Sequence, residues 1–322
     1  MHRYISLFIS IMSALLFVNP ASSKNVIGAE DVKSILNRLD SELNRRDIYL
    51  NMRHASIDSL KAIVAGKNIS AEERLECLLQ LGDSYNVLNT DSALTFYAKG
   101  YDLSLSLGLD SVSTRFKLRT ATYLPLLAFI TEAADRFNAI DRESLPDGLM
   151  LEYYDAARQM YSYIASYYIN YPEIYDPYMK KSQDAQAKLL PLLEDGSPRF
   201  LLNQGEYFFY HQQYSRAKAV LLLLLDRIPE EDNLYARACH LLADIAKARG
   251  EHNAYVYYLA LSAIADTRGA TLEVSSLQEL GRIMYLHGDV RHAMTIFPLH
   301  CQRPLNAMHR YALSSHQIFS LL

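Results

Sequence analysis

Five histidines and a cysteine gather near the C-terminus: His287, His292, His300, Cys301, His309 and His316. Imidazole and thiolate are side chains that zinc and copper select. Their spacings match no structural zinc motif and no HExxH occurs, so the cluster reads as coincidence and no metal is expected. Cys77, Cys239 and Cys301 are odd in number, widely spaced and without a CxxC pair, which argues against a disulfide framework. From Tyr153 to Tyr178, nine tyrosines fall within 26 residues. Tyr161, Tyr168, Tyr171, Tyr175 and Tyr178 can share one broad helical face, a stacking platform for sugar or peptide. Trp, the better sugar-stacking residue, is absent from the chain, which favours core filling instead. Acid pairs such as Glu132 and Asp135 lie in amphipathic stretches and read as solvated. No GxSxG elbow, Walker loop or GxGxxG is present, so no catalytic residue is assigned and no cofactor is expected. Asn68-Ile69-Ser70 matches a glycosylation acceptor. Ser70-Ala71-Glu72-Glu73 is better read as a capping box, in which hydroxyl and carboxylate each satisfy a free backbone N–H.

The elements that must carry these residues are helical. Gly and Pro number only 12 and 10 in 322 residues, too few for a disordered, collagen-like or turn-dense all-β chain. Half of the chain is apolar, enough for a core. The net charge of −4, without any basic run, speaks against nucleic-acid binding. His2 and Arg3 precede an uncharged stretch from Tyr4 to Val18, then Pro20 and the small residues Ala21-Ser22-Ser23. This reads as a signal peptide over residues 1–23, cleaved near Ser23, with the mature chain exported to the periplasm. The alternative is an uncleaved anchor in the inner membrane, although a span needs about 20 apolar residues. No later window reaches that length, so no membrane span is expected in the mature chain. Val32, Ile35, Leu36, Leu39 and Leu43 recur at helical spacing, as do Ile57, Leu60, Ile63 and Val64 up to Gly66. No stretch alternates at strand length, so no sheet is predicted.

A repeat organises the rest. Gly205, Ala243 and Gly281 stand 38 residues apart, as do Ala217, Tyr255 and Ala293, and Leu221, Leu259 and Phe297. Small residues twelve positions apart suit two antiparallel helices in close approach. Gly250 and Gly288 fall between the helices, where a left-handed residue ends the first one cheaply. Pro229 closes the unit that begins near Arg199.

This pattern resembles the tetratricopeptide repeat, a helix–turn–helix unit with small and aromatic residues at set positions. Leu280-Gly281, Met284, Gly288, Ala293 and Phe297 follow that order, and so do Gly205, Phe208, Ala217, Leu221 and Pro229. Ala243, Gly250, Tyr255 and Leu259 form a looser unit. Leu81-Gly82, Tyr85, Ala93 and Tyr97 form another with a turn one residue shorter. Thr122, Ala134, Asn138 and Pro146 suggest a weaker one, with Phe137 beside its aromatic position, and Glu152 to Leu193 leaves room for a degenerate hairpin. The family's early Trp is missing throughout. A narrower resemblance rests on Leu39-Asp40, Arg46, Tyr49, Ile57, Leu60 and Lys61 ahead of degenerate repeats. These residues resemble the periplasmic helical-repeat sensor region of bacterial membrane-anchored regulators.

The resemblance implies an all-α fold, a right-handed superhelix of stacked antiparallel helical hairpins. A helical segment over 24–67 would precede a repeat domain over 68–322, degenerate in the middle and at the C-terminal end. It also implies a concave face lined by first helices. The family's groove positions fall here on Leu202, Glu206, Phe209 and Tyr210, then on His240, Asp244, Lys247 and Ala248, and then on Gln278, Arg282, Tyr285 and Leu286. The polar and aromatic candidates among them are Glu206, Tyr210, His240, Asp244, Lys247, Gln278, Arg282 and Tyr285, suited to hydrogen bonding a peptide backbone or terminus. The expected function is a non-enzymatic binding or scaffold module for a peptide or protein partner. One alternative is the sensor portion of a membrane-anchored regulator, cut before its transmembrane helix. A further alternative is a helical enzyme acting on cell-envelope substrates.

Overall fold

The computed structural model describes residues 27–271 and 275–289. The expected signal peptide over residues 1–23, Ala293, Phe297, His292, His300, Cys301, His309 and His316 lie outside the described residues. Thirteen α-helices and no strand occur among the described residues. They are α1 (Ala29–Leu43), α2 (Arg46–Ala65), α3 (Ala71–Asn86), α4 (Thr90–Ser106), α5 (Asp110–Tyr123), α6 (Ile130–Asn138), α7 (Asp147–Tyr167), α8 (Pro172–Leu189), α9 (Pro198–Tyr210), α10 (Tyr214–Leu225), α11 (Asn233–Ala248), α12 (His252–Arg268) and α13 (Ser275–Leu286). The pairs α3/α4, α5/α6, α7/α8, α9/α10 and α11/α12 are antiparallel hairpins, and several second helices pack on the first helix of the next unit. The result is a helical-repeat solenoid.

Local chemistry fixes the helix ends. Ser70, Asn89, Ser197 and Asp232 each accept a backbone N–H at the start of α3, α4, α9 and α11. Gly250 and Gly288 turn the chain after α11 and α13 with φ of +70° and +80°, a region costly for any residue with a Cβ. Inside the hairpins, a missing Cβ on one helix makes room for a large side chain on the other. A Cβ at position 82 would lie 2.1 Å from the ring of Tyr97, and one at 205 would lie 2.6 Å from Leu221. Ala93 and Ala217, twelve or eleven positions on, are wholly buried.

The weak second unit has a different register from the one the residue types suggest. Ala121, Ala133 and Phe137 are the buried set, one position before Thr122 and Ala134, so Phe137 sits on the aromatic position rather than beside it. Thr122 is also buried, because its hydroxyl is satisfied by the Leu118 carbonyl at 2.8 Å, and that burial disguises the register. The degenerate hairpin is α7/α8, whose longer helices begin right after Pro146. Most of its tyrosines pack, while Tyr171 is exposed. Tyr153 stacks on Phe137 at 4.8 Å, and Tyr161 and Tyr168 both stack on Tyr178 at 6.3 Å. Tyr153, Tyr161, Tyr168 and Tyr178 are half-buried against the α5–α8 core.

The N-terminal helices pack against the repeat array. The apolar stripe of α1 packs on α12, far along the chain, with Ile35, Leu39 and Leu43 in the same core as Leu259 and Ile264. Helix α2 packs on α3 and also touches α12. As a result α12 is buried nearly all round, from Ala254 to Thr267. A second helix of an open array would leave its outer side to solvent. Charged groups fasten the junction. The buried carboxylate of Glu42 accepts from Arg268 and from Tyr49, each at 2.6 Å, and Arg268 also reaches Glu230 at 2.7 Å. Arg38 on α1 pairs with that same Glu230, and Arg53 on α2 donates to the Gly269 carbonyl at 2.6 Å.

Candidate functional site

The first helices α3, α5, α7, α9, α11 and α13 stand side by side, which in a stacked-hairpin array makes the inner face. Each joint between neighbours carries a polar bridge. Arg119 of α5 meets Asp83 of α3 at 3.2 Å, and Arg115 of α5 meets Glu152 of α7 at 2.7 Å. Between α7 and α9, Arg199 meets Asp155 at 2.6 Å and Arg158 meets Glu206 at 3.2 Å. Arg237 of α11 then reaches Glu206 at 2.7 Å, and Lys247 of α11 reaches Glu279 of α13 at 3.3 Å. The repeat units are thus joined by a ladder of ion pairs along this face.

Three of the expected groove residues, Glu206, Lys247 and Arg282, lie within the ladder. Glu206 is the most heavily engaged, with Arg158, Gln186 and Arg237 all donating to its two oxygens. Its partner Arg158 is a buried cation held between Glu206 and Asp155. Burial raises the Asp155 carboxyl, but Arg158 and Arg199 outweigh it and hold the group below its ordinary range. Arg282 folds back along its own helix and clamps Glu279 through two N–H groups at 2.8 and 2.7 Å. Together with the Tyr255 hydroxyl, which also donates to Glu279, and with Lys247, this clamp lowers the Glu279 carboxyl to about 2. Lys247 lies over the Tyr255 ring as well, at 5.3 Å.

His240 faces Ser276 with its Nδ1 2.9 Å from the hydroxyl, and Asp244 lies one turn along the same helix. Ser, His and Asp in this order invite a nucleophile reading. Ser276, however, is 1 % exposed and donates to Ser262 at 2.8 Å, so no substrate can approach its oxygen. The contact is a buried strut between α11, α12 and α13.

Asp244 differs from every other acid in the row. It occupies on α11 the place that Glu206 occupies on α9, yet it makes no hydrogen bond or ion pair with the described residues. The equivalent residue on α13 is Arg282, which is held by Glu279 and does not reach it. Burial pushes the Asp244 carboxyl above its ordinary value against the pull of His240 and Lys247. Two aromatic rings on the flanking first helices are open to solvent: Tyr210 at the end of α9, 42 % exposed, and Tyr285 at the end of α13, 53 % exposed. Gln278 stands on α13 one turn before Arg282 and is half-buried. The face therefore offers one acceptor without a partner, two open rings and a surround of fixed charges.

Asp155, Arg158, Arg199, Arg237 and Glu279 escaped the sequence reading. The ladder had a faint signature there. Four of its joints link an acid to a base 31 to 37 residues away, just under one repeat, while the two pairs between α7 and α9 are 44 and 48 residues apart. No group of three or more His, Cys, Asp or Glu residues arranged to hold a metal occurs among the described residues. None of their helices is long and apolar enough to cross a membrane.

The sequence profile of the SusR N-terminal TPR domain matches residues 43–299 of the chain. No curated protein matches it.

Proposed function

The chain belongs to the family of SusR N-terminal TPR domains, and from that premise we propose that it is an exported, non-enzymatic binding module whose first-helix face takes a peptide or protein partner. The observation that carries this reading is Asp244, the one acid of the row without a donor among the described residues, on the helix between those that carry the open rings of Tyr210 and Tyr285. A half-buried carboxylate that no described side chain has claimed can exchange water for a ligand N–H. An extended peptide brings backbone N–H groups for Asp244 and apolar side chains for the two tyrosines. The ladder keeps the helices that carry these groups in fixed register, so little has to be ordered on binding. Gln278, Lys247, His240, Arg282 and Glu206 border the same surface.

The test is a binding screen of periplasmic peptides against the purified chain, followed by Asp244→Ala, Tyr210→Ala, Lys247→Ala and Arg282→Ala in the best complex. Loss of at least tenfold in affinity with Asp244→Ala supports the site. Unchanged affinity in all four variants sinks it.

A second reading is favoured by the family description itself, which places such a domain at the N-terminus of its parent protein. In that reading the repeat region is the sensing part of an envelope regulator, and the bound partner is its signal. An in-frame apolar segment of about 20 residues encoded downstream of Leu322 decides for it.

A further inference from the structure

Helix α2 is apolar on two opposite sides. One side carries Ile57, 1 % exposed, with Leu50, Leu60 and Val64, and is packed against α3. The other carries Ile48, Met52, Ala55, Ser59 and then both Ala62 and Ile63, all exposed, each step from Ile48 to Ala62 being three or four residues. Ile48, Met52 and Ile63 are 54 %, 66 % and 44 % exposed. The hydroxyl of Ser59 donates to the Ala55 carbonyl at 2.9 Å, so even this residue presents little polarity outward. No charged residue lies in the stripe. It runs about 22 Å along the helix, at 1.5 Å per residue.

We propose that this stripe is a self-association surface, and that its occupant is the α2 stripe of a second copy of the chain, running antiparallel. The order of side chains is self-complementary under a two-fold axis, as an isologous contact requires. Pairing Ile48 with Ile63 of the other copy sets Met52 opposite Ser59 and brings Ala55 next to the axis. The large Met52 then meets the small Ser59, the isoleucines pair at both ends of the strip, and the backbones come closest near Ala55. The charges on the flank fix the direction. Asp47 and Asp58 lie on one side of the stripe, with Lys61 beside Asp58 at 3.0 Å. An antiparallel two-fold keeps this flank of both copies on the same side and brings Asp47 within a turn of the other copy's Lys61, whereas a parallel two-fold puts the two flanks on opposite sides. A single helix strip lies at the small end of specific interfaces, below about 1,200 Å² in total, so association is weak and depends on concentration.

Sedimentation equilibrium of the processed chain over a wide concentration range tests the proposal, with Met52→Lys as the interface variant. Met52 is exposed, so its replacement leaves the fold intact, and an unchanged circular-dichroism melt verifies that. A monomer–dimer equilibrium whose dissociation constant rises at least tenfold in M52K supports the proposal. A chain that stays monomeric, or a dimer indifferent to M52K, overturns it. Single cysteines in a Cys301→Ser background then read the direction. Ala55→Cys is expected to form a homodisulfide, and Ile63→Cys only a mixed one with Ile48→Cys. Efficient Ile63→Cys self-coupling would show parallel helices and refute the antiparallel pairing.

Discussion

Gly82 shows what one absent atom does in this fold. Its missing Cβ is the space that the Tyr97 ring occupies, and the Tyr97 hydroxyl continues to Asp83 at 2.6 Å, where Arg119 also binds. A methyl at position 82 therefore pushes the ring, and through it disturbs the first joint of the ladder. Gly82→Ala is expected to cost about 1–3 kcal/mol, the usual range for overpacking a closed core. Gly148, in the first turn of α7, is the control, since a Cβ there meets nothing within 4 Å. Gly148→Ala should stabilise by up to about 1 kcal/mol, through the smaller entropy loss on folding. Urea denaturation of both variants checks the pair; equal effects would show that the ring contact has no bearing on stability. The same scale explains Asp244. Its residue type and repeat position were readable in the sequence, but its lack of a donor depends on where Arg282 points.

At the scale of elements, the junction of α11, α12 and α13 adds a charged cluster to its apolar core. Glu279 collects Arg282, Tyr255 and Lys247, and its carboxyl lies near 2 in the folded chain against 4.5 when unperturbed. The folded form thus resists protonation that the unfolded form accepts. The resulting stability is complete above about pH 4.5 and is lost as the pH falls toward 2. After allowance for solvent screening it amounts to about 2 kcal/mol. Thermal unfolding followed from pH 5 to pH 2 should show this loss in the native chain and a shallower one in Glu279→Gln. A parallel decline in both would remove Glu279 from the account. Helix α13 is expected to open first on acidification, which hydrogen exchange can follow.

Across the whole molecule, the unexpected contact is α1 on α12. It brings the beginning of the chain against its fifth hairpin and joins two ends of the repeat array. Glu42 is the buried member of that junction, held below the ordinary carboxylate range first by Arg268 and then by Tyr49. Removing the guanidinium leaves a buried carboxylate with weaker partners. Arg268→Ala should therefore cost about 2–4 kcal/mol. The expected signature is faster amide exchange in residues 29–43 with little change in α9 and α11. Uniform acceleration through all helices would mean that α1 is not a separable closure.

The helical class and most hairpins were legible because helices are local. Periodic apolar residues, caps and left-handed glycines act within a few positions, and Gly82, Gly205, Gly250 and Gly288 reveal their roles by spacing alone. Register failed at Thr122 because two adjacent small residues are both buried there, and spacing cannot choose between them. The candidate face was legible as a set of positions but not as a site. Whether Glu206, Lys247 and Arg282 are open or engaged depends on partners in the neighbouring repeat. The α1–α12 contact left no trace either, since an amphipathic stripe states that a helix must be covered and not by what. Thus the sequence by itself determined the helices, their pairing into hairpins and the family. Only the tertiary structure decided which charges pair, where the chain closes on itself and which acceptor is left over, because these depend on distances between residues far apart in the chain.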